Sequence, residues 1–183
     1  MNNKKNMIKS LIAYRGFSSQ SLIKVTAMVE YLTYANEIIF VEFCEGTKSA
    51  NGFKYNTENP IKMSFSAIDL RTLAYAMREI LKTKQDSGYE KITKSDGLMK
   101  KVTVGFTSKA SQNDQNKIIE TFYINGTLVQ KNFKVGISFS KWEMASFADS
   151  LMLIADETET ALYKHQRMLR KAQLALQKQS EQT

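Results

Sequence analysis

Apolar residues recur along this chain with two different periods, and the two periods take turns. Runs such as Ile61-Lys62-Met63-Ser64-Phe65 and Val135-Gly136-Ile137-Ser138-Phe139 place an apolar residue at every second position, the pattern of a half-buried strand. Leu70, Leu73, Ala74, Met77, Ile80 and Leu81 fall three and four apart, the pattern of a helix with one apolar face. On these patterns strands are predicted near 10–15, 22–32, 37–45, 53–56 and 60–65, followed by a helix over about 67–83. A polar connector from Thr83 to Gly88 leads to a second series, with strands near 89–93, 99–108, 117–125 and 128–139 and a helix from about 141. Asn125-Gly126 is expected to be a two-residue hairpin turn, because both residues tolerate positive φ. Gly46 and Asn51-Gly52 punctuate the first series in the same way.

The two series say nearly the same thing. Each last strand ends in Ser-Phe-Ser and runs into Ser-x-x-acid, at Ser66–Asp69 and at Ser140–Glu143. That is a capping box: the serine caps the first turn and the acid reaches back to the serine's backbone. The glutamate copy is expected to be the stronger. Further upstream, Glu37 to Thr47 resembles Lys117 to Thr127, and Lys24-Val25-Thr26-Ala27 resembles Lys101-Val102-Thr103-Val104. An ordered repeat implies two like units packed as a pair. The expected fold class is α+β, with two antiparallel β-sheets from a duplicated ββββα unit and helices packed on one side. The chain is expected to form a single domain over 1–183: a first repeat over about 8–83, a second over about 89–155, and a helical extension over 156–183.

After Trp142 neither Gly nor Pro occurs. Met144, Ala148, Leu151, Ala155, Thr158, Leu162, His165, Leu169, Ala172 and Leu176 form a heptad seam, suited to left-handed packing on another helix. The part up to Asp156 is explained by the domain core. The rest is expected to contact another copy of the chain or a partner protein.

Composition narrows the chemistry. The single cysteine, Cys44, excludes an internal disulfide and a cysteine cluster, and reads as a small buried strand residue. The single histidine, His165, leaves no basis for a histidine zinc site or a Ser-His-Asp triad. GxGxxG, P-loop, HExxH and CxxC patterns are absent, and the acids are scattered. No catalytic residue, cofactor or metal site is nominated, and the chain reads as no enzyme. Its longest apolar run falls far short of the roughly 20 residues of a membrane-spanning helix.

Charge adds a direction. The net charge is +8, and no acid precedes Glu30, whereas Lys4, Lys5, Lys9, Arg15 and Lys24 do. A basic chain suits a polyanion. Strands that interleave aromatic and basic residues suit single-stranded nucleic acid, whose bases stack while Lys and Arg follow the phosphates. The candidate contacts are Tyr14, Arg15, Lys24, Phe53, Lys54, Tyr55, Lys100, Lys101, Phe106, Lys109, Phe122, Lys131 and Phe133, with Asn132 and Lys134 beside the last. For each aromatic the competing role is core packing, and for each lysine a solvated strand edge. Phe65, Phe139, Trp142 and Phe147 are assigned to the core. No helix-turn-helix or zinc-finger pattern points to a duplex reader.

The duplicated strands-then-helix order resembles the Whirly family of single-strand-binding proteins. It is also similar to the wider group holding mitochondrial guide-RNA-binding proteins and dimeric transcription-coactivator single-strand binders. Tyr14-Arg15-Gly16-Phe17-Ser18-Ser19 occupies the early place of the family's Tyr-Lys-Gly-Lys-Ala-Ala-Leu-Ser-Val strand, and Lys62 to Leu70 and Val135 to Leu151 resemble its two repeat ends. The second basic residue and the alanines of that motif are missing here, so the resemblance does not extend to the family's higher assemblies. It implies two sheets with helices beneath, a homo-oligomer with a tetramer favoured, single strands lying across sheet surfaces, and no cofactor. The expected function is binding of single-stranded DNA with little sequence preference, in replication, recombination or repair, in the setting of a phage or mobile element. RNA binding or annealing by the same fold, and a structural role through the carboxy-terminal helix, stay open as alternatives. The expected location is the cytoplasm, ahead of an organelle reached by an amino-terminal transit segment.

Overall fold

The computed structural model describes residues 9–17, 21–29, 38–95, 97–111 and 118–180, with side chains over 21–27, 39–95, 97–111, 118–164 and 166–178. Five strands come first: β1 (Lys9–Phe17), β2 (Ser21–Val29), β3 (Ile38–Ser49), β4 (Gly52–Tyr55) and β5 (Ile61–Phe65). Helix α1 (Ala67–Thr83) follows. The second series holds β6 (Glu90–Ser95), β7 (Leu98–Ala110), β8 (Ile118–Leu128), a 3-10 turn (Val129–Lys131), β9 (Phe133–Phe139) and α2 (Lys141–Ser180). All pairings are antiparallel. The first sheet runs β1-β2-β3, with β5 on the Ile39–Phe43 end of β3 and β4 on its Gly46–Ser49 end. The second runs β6-β7-β8-β9. The expected α+β class with two antiparallel sheets is the class observed.

Alternation decides which face of each strand is dry. Ile23, Val25 and Ala27 of β2, Ile39, Val41 and Phe43 of β3, and Ile61, Met63 and Phe65 of β5 turn inward. So do Val102 and Val104 of β7, Phe122 and Ile124 of β8, and Val135, Ile137 and Phe139 of β9. These meet Leu70, Leu73, Ala74, Met77 and Ile80 of α1, and Met144, Phe147, Ala148, Leu151 and Ala155 of α2, in one continuous core. Each helix touches both sheets: α1 lies against β5 and β7, and α2 against β1, β2, β8 and β9. The helices run antiparallel, and Arg71 joins them by hydrogen bonds to Asp156 (2.7 Å) and Glu159 (2.6 Å), as Arg78 does to Asp149 (2.7 Å).

Both capping boxes form. Asp69 N–H donates to Ser66 Oγ at 3.1 Å, and Ser66 N–H to Asp69 Oδ2 at 3.0 Å. In the second box Ser140 N–H reaches Glu143 Oε2 at 2.7 Å, but the forward bond from Glu143 N–H is 3.4 Å. The expected advantage of the glutamate copy is therefore absent. The shorter aspartate closes both arms, and Lys91 of β6 adds an ion pair to it at 2.8 Å.

Other expectations are corrected by tertiary packing. Asn125-Gly126 is no turn: both residues lie inside β8, and Asn125 is buried. The glycine answers a different need, because a Cβ there would stand 2.4 Å from the Phe43 ring across the two sheets. The β8–β9 connection is instead the 3-10 turn, closed by Asn132 with φ of 47°. Gly46 sits within β3, and the β3–β4 turn falls at Ala50-Asn51 before Gly52, whose φ is 119°. Trp142 is 76% exposed rather than core. It precedes Met144 by two residues, which on a 3.6-residue helix sets it on the opposite side. The repeat is also slipped in its third strand. Phe65 pairs with Ile39 and Phe139 with Phe122, so Phe122 stands where Ile39 does, not where Glu42 does. An odd slip exchanges the two faces of a strand.

Candidate nucleic-acid interface

The nominated residues fall into three places. The first is a groove at the junction of the two sheets. Phe43, Ile61, Leu98, Leu128 and Phe133 give it an apolar floor, with Lys100, Lys131, Glu45, Asn56, Asn59 and Pro60 around it. A second pocket on the β4 hairpin shares Asn56 with it and is lined by Thr47, Lys54, Tyr55, Thr57 and Glu58. Lys100, Lys131 and Phe133 thus converge on the groove from separate elements, and Lys54 and Tyr55 line the pocket that adjoins it at Asn56.

Local geometry explains the convergence. The turn at Ala50-Asn51 folds β4 back on β3 and sets Lys54 opposite Thr47 and Tyr55 opposite Gly46. Asn56 N–H donates to the Glu45 carbonyl at 2.9 Å, and Asn59 N–H to Asn56 Oδ1 at 3.2 Å, which holds the wall that follows β4. On the other side the 3-10 turn presents Lys131. Met99 N–H donates to Gln130 Oε1 at 2.9 Å and ties that turn to the β6–β7 end. Lys100 Nζ donates to Ser95 Oγ at 2.9 Å. Among the described residues Lys54, Lys100 and Lys131 make no ion pair. Glu45 and Glu58 reduce the groove's positive charge. Phe53 shares the hairpin and stays 40% exposed, but lines neither the groove nor the adjoining pocket.

The second place is the outer face of the second sheet. Lys101 and Lys109 point outward from β7, and Lys101 is held by Glu90 at 2.6 Å. Sequence reasoning missed the aromatic here. Tyr123 of β8 lies across Gly105 of β7, where a Cβ would meet its hydroxyl at 2.2 Å, and Lys134 of β9 stands 5.9 Å from its ring centroid. Burial, and then the nearby Asp86 carboxylate, push the Tyr123 phenol above its ordinary pKa, so it stays neutral. The available signal was Gly105 in the neighbouring strand, which leaves room for a ring laid flat on the outer face; Gly136 of β9 instead makes room for Asn125, whose Oδ1 would stand 2.2 Å from an added Cβ.

Two nominated aromatics are corrected. Phe122 is 1% exposed, and Phe106 packs against it at 5.1 Å between ring centroids. Both belong to the dry face, so neither is placed to stack on a base. The third place is the outer face of the first sheet, where Lys24 is tied to Glu42 at 3.1 Å. Lys62 shares that carboxylate at 3.4 Å and lies 3.9 Å over the Phe40 ring. Lys24 is therefore already engaged across the strands, although one carboxylate shared by two lysines leaves the cluster positive. Arg15 pairs with Lys24 and Tyr14 with Val25 in the β1–β2 register; the side chains of Tyr14 and Arg15 lie outside the described residues.

Among the described residues no group of His, Cys, Asp and Glu is arranged to hold a metal ion, and no helix is long and apolar enough to cross a membrane. Cys44 is buried and burial raises its thiol pKa, as fits a packing role.

No protein-family model matches the chain, and no curated protein does. Among solved structures the chain is similar to WHY1 from Arabidopsis thaliana, at 11% identity and a TM-score of 0.46, over 95% of this chain and 96% of that one. A likeness this distant carries no argument about function.

Proposed function

We propose that the protein is a non-catalytic binder of single-stranded DNA with little sequence preference, serving replication, recombination or repair. In this reading one domain of two repeats offers its junction groove to the strand. The observation that carries it is the convergence of Lys100, Lys131 and Phe133 on one apolar-floored groove, with Lys54 and Tyr55 in the pocket that adjoins it at Asn56. Lysines without acidic partners neutralise phosphates, and part-exposed rings stack on bases without selecting among them. Nothing in this chemistry needs a cofactor. The reading includes self-association, with a tetramer favoured; Tyr75 and Leu153, 57% and 60% exposed beside the three interhelical ion pairs, offer apolar surface for it. The reading sets the protein in the cytoplasm, on the genome of a phage or mobile element.

The test is titration of labelled poly-dT, RNA of the same length and duplex DNA at low and moderate salt. Tight binding to single strands should weaken with a log-log salt slope near −0.7 per phosphate neutralised. Lys100→Gln with Lys131→Gln should make that slope shallower by about 1.4. Preference for RNA over DNA would transfer the reading to RNA binding or annealing. No single-strand binding at low salt would reject both.

A further inference from the structure

The groove leaves the far end of α2 unused, and that end has its own chemistry. Buried side chains on α2 stop at Thr158; beyond residue 160 every described side chain is part-exposed or exposed. Residues 161–183 carry five basic residues and one acid, half of the chain's net charge of +8. Lys164, Arg167, Arg170, Lys171 and Lys178 are all exposed and make no ion pair among the described residues. On a 3.6-residue helix these five fall within about 120° of the circumference, opposite Leu162, Leu169 and Leu176. Tyr163 lies in the same sector, 66% exposed, and shares a surface groove with Gln166, Arg167 and Arg170.

Solvation alone accounts for this poorly. A solvated helix gains by interleaving acids, yet none occurs from residue 160 to residue 180. The pairs Lys164/Arg167, Arg167/Arg170 and Arg167/Lys171 repel at helical spacing, each costing about 0.2–0.5 kcal/mol. The helix dipole favours cations only in the last turn, which explains Lys178 and not the other four. A polyanion relieves all of this repulsion at once. Arginine is suited to it, because its planar fork meets phosphate oxygens two at a time. Arg71 and Arg78 are occupied by the acids of α2, so Arg167 and Arg170 are the guanidiniums left for a ligand among the described side chains.

We infer that the distal half of α2 is a second nucleic-acid contact: a basic arm, about 21 Å from Lys164 to Lys178, that follows the phosphates of a strand held in the groove. The inference rests on the single-strand reading. The apolar seam on the opposite side stays free for helix packing while the arm is bound.

The test uses the full chain with Lys164, Arg167, Arg170, Lys171 and Lys178 all changed to Gln, which keeps helix propensity and removes charge. Labelled oligo-dT binding is measured across salt, with circular dichroism and sedimentation on the same samples. Each engaged cation should account for about 0.7 of the salt slope, so the slope should become shallower by roughly 2–3.5, with affinity at low salt lowered at least about tenfold. Arg167→Lys with Arg170→Lys should keep the slope, and Tyr163→Ala should weaken binding with the slope unchanged. An unchanged slope and affinity in the fivefold variant, while the parent binds, overturns the arm alone; failure of the parent to bind any single strand overturns the reading beneath it. Loss of binding to phosphatidylserine vesicles with strand binding intact would also overturn the arm, reassigning the face to a membrane surface.

Discussion

Gly126→Ala tests whether the two sheets meet as described, and so whether the junction groove exists. Gly126 has no positive φ, so alanine is allowed on backbone grounds. What forbids it is Phe43: an added Cβ would stand 2.4, 2.7 and 2.9 Å from three of its ring atoms, against about 3.5–4.0 Å for an ordinary carbon contact. The ring must give by about 1 Å. It has little freedom to do so, being 1% exposed in the core. Overpacking of this kind costs about 1–3 kcal/mol, and the stiffer unfolded chain returns about 0.4–1 kcal/mol. The net expectation is a loss of about 1–2 kcal/mol, read in urea as a lower midpoint with unchanged m. In a chain of this size it corresponds to a Tm lower by roughly 2–8 °C. The decisive step is a double-mutant cycle with Phe43→Leu. A smaller side chain makes room for the methyl, so the double variant should be more stable than the two losses predict, by at least about 0.5 kcal/mol. Additivity within about 0.3 kcal/mol would refute the contact, and with it the groove.

Other outcomes follow from particular contacts. Glu45→Gln removes a carboxylate from the groove and should tighten oligo-dT binding about 2–5-fold, with a fluorescence titration as the check. Ser66→Ala opens the first capping box and should cost about 1 kcal/mol in urea unfolding, whereas Trp142→Ala, at an exposed site, should change stability by less than about 0.5 kcal/mol. The single tryptophan should be readily quenched by iodide in protein dilute enough to be monomeric. Acid should destabilise the fold through three depressed carboxyls. In Asp69 burial raises the pKa but hydrogen bonds from Lys91 and Ser66 outweigh it; in Glu143 the Ser140 backbone N–H lowers it, and in Glu159 the Arg71 guanidinium does. A depressed acid contributes stability above its unfolded pKa and loses it as pH falls through the folded value. The Tm should therefore hold down to about pH 5 and decline below about pH 4, with a shallower decline in Arg71→Ala.

Most of the secondary structure was legible in the chain, because each signal is local. Period-two runs with branched and aromatic residues mark strands, period-3.6 runs mark helices, and Ser-x-x-acid marks where the helices begin; all of these act within a few residues. The repeated order carried the two-sheet class for the same reason. Within the interface, lysines and rings could be nominated by type, but not sorted by face. Phe122 and Tyr123 are neighbours of similar size, and a single odd slip in matching β3 to β8 decides which of them is wet. Gly126 reads as a turn residue by its own chemistry but is paired in a strand between Val102 and Val135, where a ring far away in the sequence leaves no room for a side chain. Lys24 and Lys54 look alike in sequence, yet Glu42 faces the first across β3 and no acid pairs with the second among the described residues. Tertiary structure decides these matters because burial and charge pairing depend on what the rest of the chain brings alongside, and that partner is set by sheet register and helix packing rather than by the residue's own neighbours.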